Sequence, residues 1–256
     1  MMTLLMAETR RSWKLFLRYP AEAIAVFAIL ALMFAGLYLG ARFLAGGQDF
    51  GTRIDSIVAG YIAWMLVLGI FSGVAGEIEQ EAKIGTLEQV VLSDRSFLAV
   101  TVVRVLANLS INVLITLSVL VCILLLTRSS FHITPAVLPS VGLLVLGTTG
   151  LGLMMGALAL LMKKATALIG LSQFMLLFLV FFQKREGTQQ ALQWLDFAPL
   201  SSAASLMRQI LATGYQPTAA DHLLPAVNAV VYLAIGCVLF QLALRKAKRN
   251  GTLGHY

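Results

Sequence analysis

The stretch GEIEQEAKIGTLEQVVLSDRS, from Gly76 to Ser96, is a charged segment between two long apolar ones. Charged side chains are costly in lipid, so this segment should lie in water beside a membrane, where another protein can reach it. We refer to residues 76–96 as the charged segment. It holds five of the chain's twelve acidic residues, namely Glu77, Glu79, Glu81, Glu88 and Asp94.

The composition of the whole chain is that of a membrane protein. Of 256 residues, 59% are hydrophobic and 12% are charged, whereas about 25% are charged in an average soluble protein. About 20 apolar residues cross a bilayer as a helix, and lipid permits an isolated segment no other backbone state. The sequence therefore predicts an all-α polytopic protein with six transmembrane helices. The predicted spans are Ala21–Ala45, Ile57–Val74, Ala99–Thr127, Pro139–Met162, Thr166–Gln183 and Leu223–Leu244.

Lysine and arginine predict the orientation of these spans. Thirteen of them lie on the side of the charged segment and six on the other side. Because cytoplasmic loops carry the excess of these residues, we expect both termini and the charged segment in the cytoplasm. The basic run Arg245–Arg249 is interpreted as a contact with anionic lipid head groups. We expect no nucleic acid as a partner, since no nucleic-acid-binding pattern accompanies the net charge of +7.

The sequence divides the chain into two parts. Residues 1–20 mix apolar and basic side chains and predict an amphipathic helix in the interface plane, which serves either as an anchor or as a lever that senses a partner. Residues 21–256 form a single six-helix domain, with an outer helical segment at 184–222. In that segment we expect Ser202 to cap a short helix and Gly214 to end it.

Polar residues recur at every fourth position of the third span, and so share one face of a helix. They either hydrogen-bond to neighbouring helices, with Arg104 reaching the head groups, or line a substrate path. The positions are Arg104, Asn108, Asn112 and Thr116, with Asn228 and Tyr232 as a similar pair in the last span.

Glycines in the fourth span predict close helix packing. Gly152 and Gly156 are four residues apart, with Gly147 and Gly150 just before them. Small residues at this spacing let two helix backbones approach each other in a membrane.

The sequence lacks the residues that several kinds of catalysis and ligand binding require. The chain has no Gly-x4-Gly-Lys-[Ser/Thr] loop, so it cannot hold ATP phosphates in the usual way. Its three histidines, His132, His222 and His255, have no metal-ligand spacing. We therefore expect no catalytic residue, metal or cofactor in this chain, and no enzymatic activity of its own.

Part of the charged segment carries a family resemblance. The run EAKIGTLEQVVLSD, from Glu81 to Asp94, has capping-box spacing between Thr86 and Gln89. It resembles the motif of the type-2 ABC transporter permease family, which has a glutamate-rich stretch, Gly-Thr-Leu-Glu and an aliphatic run. Asp94 stands where that family commonly has proline. The layout of the whole chain is also similar to that family.

The resemblance implies a function. The charged segment would be a coupling helix that docks on a separate ATP-binding subunit, present in two copies and carrying ATP and magnesium. The chain would be a permease subunit of an exporter in the bacterial plasma (inner) membrane, forming half of the pathway beside a second, identical or similar, permease subunit. An ATP-independent transporter or channel, and a membrane scaffold or sensor, are the alternatives. The implied docking residues are Glu77, Glu81, Gly85, Thr86, Glu88 and Gln89.

Overall fold

A computed structural model describes residues 2–44, 52–84, 97–127, 132–162, 165–181 and 197–249. These ranges are helical throughout, apart from short connections, and contain no strand. A short 3-10 helix, Ala219–His222, precedes the last α-helix. The eight α-helices of the described residues are α1 Met2–Arg18, α2 Pro20–Leu44, α3 Thr52–Ile84, α4 Phe97–Thr127, α5 Val137–Leu161, α6 Thr166–Phe181, α7 Ser201–Thr213 and α8 Leu223–Arg249.

The predicted fold class, an all-helical polytopic membrane protein, is confirmed. A sixth predicted span corresponds to α6, which is apolar but has only 16 described residues. The number of crossings and the side on which the termini lie therefore stay predictions. Within the described residues, five stretches are long and apolar enough to cross a membrane: Pro20–Gly40, Ile54–Glu81, Val100–Thr127, Val137–Leu161 and Ala219–Arg249.

The helix break before α2 is confined to one residue, Tyr19. Its amide donates to the carbonyl of Leu15 at 3.1 Å, and its carbonyl accepts from the amide of Ala23 at 3.4 Å. Pro20 has no amide hydrogen to donate, so the first turn of α2 tolerates it. The chain thus passes from α1 into α2 with its helical hydrogen bonds nearly continuous.

One aromatic cluster holds α2 against α3. The hydroxyl of Tyr61 is buried and donates to the carbonyl of Leu30 at 2.5 Å. The ring of Tyr61 also lies 5.2 Å from that of Phe34 and 5.4 Å from that of Trp64, between centroids. Most of the remaining surface of α2 is exposed and apolar, as expected for a helix that faces lipid.

Two glycines let α5 and α8 touch through their backbones. A Cβ added at Gly150 would lie 2.5 Å from the carbonyl oxygen of Tyr232, and one added at Gly236 would clash with the carbonyl group of Gly150. Only glycine leaves room for such an approach, which replaces side-chain contacts with closely packed backbones.

On the opposite face of α5, two further glycines make room for side chains of α3. A Cβ at Gly152 would lie 2.7 Å from the Cβ of Val74, and one at Gly156 would clash with the Cδ1 of Ile78. The prediction of close packing in the fourth span is therefore confirmed, with α5 held between α3 and α8.

The start of α7 differs from the prediction. The residue before the helix is Leu200, which adopts a left-handed conformation with φ 67° and offers no side-chain cap. Ser202 lies within the helix, and its hydroxyl is buried without a hydrogen-bond partner in the described residues. The prediction that Ser202 caps α7 is wrong, because the backbone turns at Leu200 and the helix begins at Ser201. The end is as predicted, with Gly214 at φ 68°.

A buried arginine joins α7 to the end of α6. Arg208 is 4% exposed, and its Nη2 donates to the carbonyl of Val180. Its Nη1 donates to the carbonyl of Phe181 at 3.4 Å. A buried guanidinium requires acceptors for its N–H groups, and these two carbonyls supply them.

We predict that Gly150→Leu destabilises the bundle, because a side chain at this position would push α5 away from α8. Overpacking of this kind costs about 1–3 kcal/mol. Gly142→Leu is the matched control, since Gly142 lies on the same helix with nothing within 4 Å of an added Cβ.

Thermal unfolding of the two variants in detergent micelles measures the difference. We expect a lower midpoint for Gly150→Leu and little change for Gly142→Leu. Equal midpoints would contradict the assigned α5–α8 contact.

Candidate functional site

Polar side chains of three helices meet at one end of the bundle, which we call the α1 end. The residues come from α1, from the C-terminal part of α3 and from the N-terminal part of α4. Each helix contributes a pair of residues four positions apart, so that both members lie on the same helix face. The pairs are Glu8 and Ser12, Glu77 and Glu81, and Arg104 and Asn108. We call these six residues the polar network.

The first layer of the polar network is ionic. The Nη1 of Arg104 lies 2.5 Å from Oε1 of Glu81, and its Nε lies 3.9 Å from Oε1 of Glu8. The three side chains are only 16–19% exposed. Arg104 thus connects α1 to α3 through α4. Removing one partner of such a shielded ion pair leaves the other charge poorly solvated, which typically costs about 3–5 kcal/mol when the pair is fully buried.

The second layer is a chain of hydrogen bonds one helical turn away. The Ser12 hydroxyl donates to Oδ1 of Asn108 at 2.7 Å, and Nδ2 of Asn108 donates to Oε1 of Glu77 at 2.7 Å. The orientation of the Asn108 amide follows from this pattern, because the carboxylate of Glu77 can only accept. Asn108 therefore connects the same three helices as Arg104 does.

The spacing of these contacts aligns α1 with α4. Glu8 contacts Arg104, Ser12 contacts Asn108, and Nε1 of Trp13 on α1 donates to the hydroxyl of Ser110 at 3.1 Å. Residue numbers increase along both helices from one contact to the next, so α1 lies parallel to α4. The predicted placement of residues 1–20 in the plane of the membrane interface stays a prediction.

A cavity of about 680 Å³ lies beside the polar network, between α1, α2, α3 and α4. One part of its wall is charged and the other is apolar. The charged and polar part consists of Glu8, Arg11, Ser12, Glu22, Glu77, Gln80, Glu81, Arg104 and Asn108. The apolar part, together with the ring of Tyr19, consists of Leu15, Phe16, Ala23, Val26, Ile111 and Ile115.

The predicted stripe on the third span faces α3 and α1. Besides the two residues in the polar network, Asn112 lies over Gly69 of α3, with Oδ1 2.6 Å from the position of an added Cβ. Thr116 is buried. Arg104 is held in ion pairs with Glu81 and Glu8. These contacts agree with the interpretation that the stripe joins helices, and the lining of a substrate path stays a prediction.

The predicted pair on the last span lies in a different place. Nδ2 of Asn228 donates to the carbonyl of Ala198 at 3.0 Å, and the hydroxyl of Tyr232 donates to that of Phe197 at 3.3 Å. Both residues therefore hold the chain that leads into α7. They do not join the polar network.

Two of the predicted docking residues have partners inside the chain. Glu77 and Glu81 face α4 and belong to the polar network. The other four, Gly85, Thr86, Glu88 and Gln89, lie outside the described residues. Their docking role stays a prediction.

The sequence interpretation missed Glu8 and Ser12. They share the four-residue spacing of Arg104 and Asn108 and lie among the basic residues of the N-terminal helix. A search for pairs with the same spacing and complementary chemistry on neighbouring helices would have singled them out.

We predict that Asn108→Leu loosens α1, because the substitution removes the donor to Glu77 and the acceptor for Ser12. A hydrogen bond to a charged group contributes about 1.5–3 kcal/mol. Trypsin should therefore cleave after Arg10 and Arg11 faster in this variant than in the unchanged protein.

Ser118→Leu is the control for this experiment, since it also replaces a polar residue of α4 with leucine. Ser118 is exposed, and its hydroxyl donates to the carbonyl of Leu114 on its own helix at 2.8 Å. We expect cleavage at the unchanged rate. Equal protection of α1 in both variants would show that Asn108 does not hold it.

Comparison with known families identifies most of the chain. A family model described as ABC-2 type transporter matches residues 3–212. The match includes α1, the polar network and the charged segment. No curated protein matches the chain significantly.

Proposed function

We propose that this chain, which belongs to the ABC-2 type transporter family, is the permease subunit of an ATP-driven exporter. Membership makes it a multi-pass membrane subunit of an ABC-type transporter, and such subunits typically pair with ATP-binding subunits. We further infer that the ATP-binding subunit is a separate chain, that transport is outward and that the membrane is the bacterial plasma membrane. The lack of a phosphate-binding loop in the sequence supports a separate source of ATP hydrolysis.

The continuity of α3 is the observation that carries the coupling proposal. This helix extends without a break from Thr52 to Ile84, and so enters the charged segment. Along its length it packs against α4, α5, α6 and α7. A long helix that is packed on several sides moves as one body, so a displacement at its end reaches the helices around it.

The proposed contact with the ATP-binding subunit begins where α3 ends. Gly85, Thr86, Glu88 and Gln89 follow directly and carry the family motif. Glu77 and the neighbouring Glu81 fix the base of this segment to α4. Force applied to the charged segment would therefore act on α3 and α4 together, and through the polar network on α1.

The proposed transport mechanism is alternating access. ATP and magnesium on two partner subunits would bring those subunits together, and the charged segments would transmit the movement. One permease chain would form half of the pathway, with an identical or similar second chain as its partner. The chain would contribute coupling and a path and carry out no bond chemistry itself.

We predict that Glu88→Lys separates the permease from its ATP-binding subunit, because it reverses the charge at the centre of the proposed contact. The tagged permease, purified in mild detergent from the membranes of its own cells, should retain a chain that hydrolyses ATP. Glu88→Lys should lose most of that activity, since a like charge replaces an attractive one at an interface.

Glu186→Lys is the matched control, with the same charge reversal in the segment predicted to lie on the other side of the membrane. It should retain the bound activity. Full activity in the Glu88→Lys preparation would refute the docking assignment. A permease that transports at the same rate without ATP would support the alternative of an ATP-independent transporter.

A further inference from the structure

We propose that the cavity between α1, α2, α3 and α4 binds an amphiphile with a cationic head group. The head would lie among the carboxylates at the α1 end, and the tail would lie along the apolar wall. This inference goes beyond the proposed function, since a binding site within one chain requires neither ATP nor a partner subunit.

The size of the cavity suits a small molecule. Its volume is about 680 Å³, and sites for small molecules in proteins have volumes of about 300–1,000 Å³. The wall is built by residues of four helices, which come from two distant parts of the sequence.

The division of the wall into two parts indicates an amphiphile. Apolar side chains of α1, α2 and α4 cover one part, including Phe16, Val26 and Ile115. Carboxylates and guanidinium groups cover the other. A purely polar solute would leave the apolar part without contacts, and a pure hydrocarbon would leave the charges unsolvated. A molecule with one polar and one apolar end satisfies both.

The charge of the wall indicates the sign of the head group. Four carboxylates line the cavity but only two guanidinium groups do. Both guanidinium groups have partners, because Arg11 lies 3.4 Å from Glu8 and Arg104 contacts Glu8 and Glu81. Glu77 accepts its hydrogen bond from the neutral amide of Asn108. An excess of negative charge therefore remains.

Two carboxylates have an oxygen that can receive a cation. Glu22 is exposed at the start of α2 and forms no ion pair with the described residues. Oε2 of Glu81 is buried and has no hydrogen-bond partner in the same ranges. An ammonium group would supply the missing donor and the missing charge at once.

The position of the cavity is consistent with entry from the membrane. One of its walls is α2, whose other faces are exposed and apolar. In the predicted orientation, the α1 end lies at the cytoplasmic head groups. An amphiphile in that leaflet would already have its head at the depth of the carboxylates.

A pair of matched probes tests the proposal. The purified chain, in uncharged maltoside micelles at low salt, is titrated with a fluorescent primary dodecylammonium, whose head group carries N–H donors, and with the corresponding dodecyl sulfonate. We expect saturable binding of one ammonium probe per chain, with an affinity at least about tenfold above that of the sulfonate, because one ionic contact contributes about this factor. Equal affinities would overturn the proposal.

Two variants locate the binding site. Glu77→Gln should weaken binding of the ammonium probe about tenfold, and its amide oxygen can still accept from Asn108. Glu79→Gln is the control, because Glu79 lies on the same helix but bonds Thr166 of α6 and is not part of the cavity wall. An affinity that is unchanged by Glu77→Gln, or reduced equally by Glu79→Gln, would overturn the assignment.

A steric pair of variants gives an independent result if the charge variants fold poorly. Ala23→Trp should abolish binding of the ammonium probe by filling the cavity. Ala25→Trp should have no effect, because Ala25 is exposed on the same helix and is not part of the wall. Binding that survives Ala23→Trp would show that the probe lies elsewhere.

Discussion

The fold depends on backbone contact between helices at Gly150 and Gly236. Lipid is as apolar as the side chains it surrounds, so helices in a membrane gain little from hiding apolar surface and associate mainly through close packing. Here α5 has glycines on two faces, one against α8 and the other against α3. Both neighbours are therefore positioned by the same helix. This arrangement leaves the outer faces of α2, α6 and α8 to lipid.

The polar network extends this rigid unit to α1 and α4. α3 packs on α5 at Val74 and Ile78. Glu77 and Glu81 lie within one helical turn of Ile78, so this packing fixes the positions of their carboxylates. They can hold Asn108 and Arg104 in place only because α3 is itself held. The proposed coupling follows from the position of α3. Its C-terminal part packs against α5 and continues into the charged segment, so a movement of that segment reaches the packed helices.

Much of the fold could be predicted from the sequence, and less of the site. Long apolar stretches predict helices because lipid allows no alternative, and the spacing of Gly152 and Gly156 indicates close packing before any partner is known. The partners of Arg104 and Asn108 could not be predicted, since periodicity places them on a face but does not say which helix lies opposite. The cap at Ser202 was predicted wrongly for a similar reason. A left-handed conformation at a leucine such as Leu200 depends on tertiary structure, which the sequence pattern does not show.

The burial of Arg208 has a consequence for how α6 and α7 can move. The residue is 4% exposed, and its guanidinium donates to the carbonyls of Val180 and Phe181. A guanidinium that lost these acceptors inside the protein would be a buried charge without a partner, which is costly. Separation of α7 from α6 is therefore opposed by electrostatics as well as by packing, and a displacement of one helix carries the other with it.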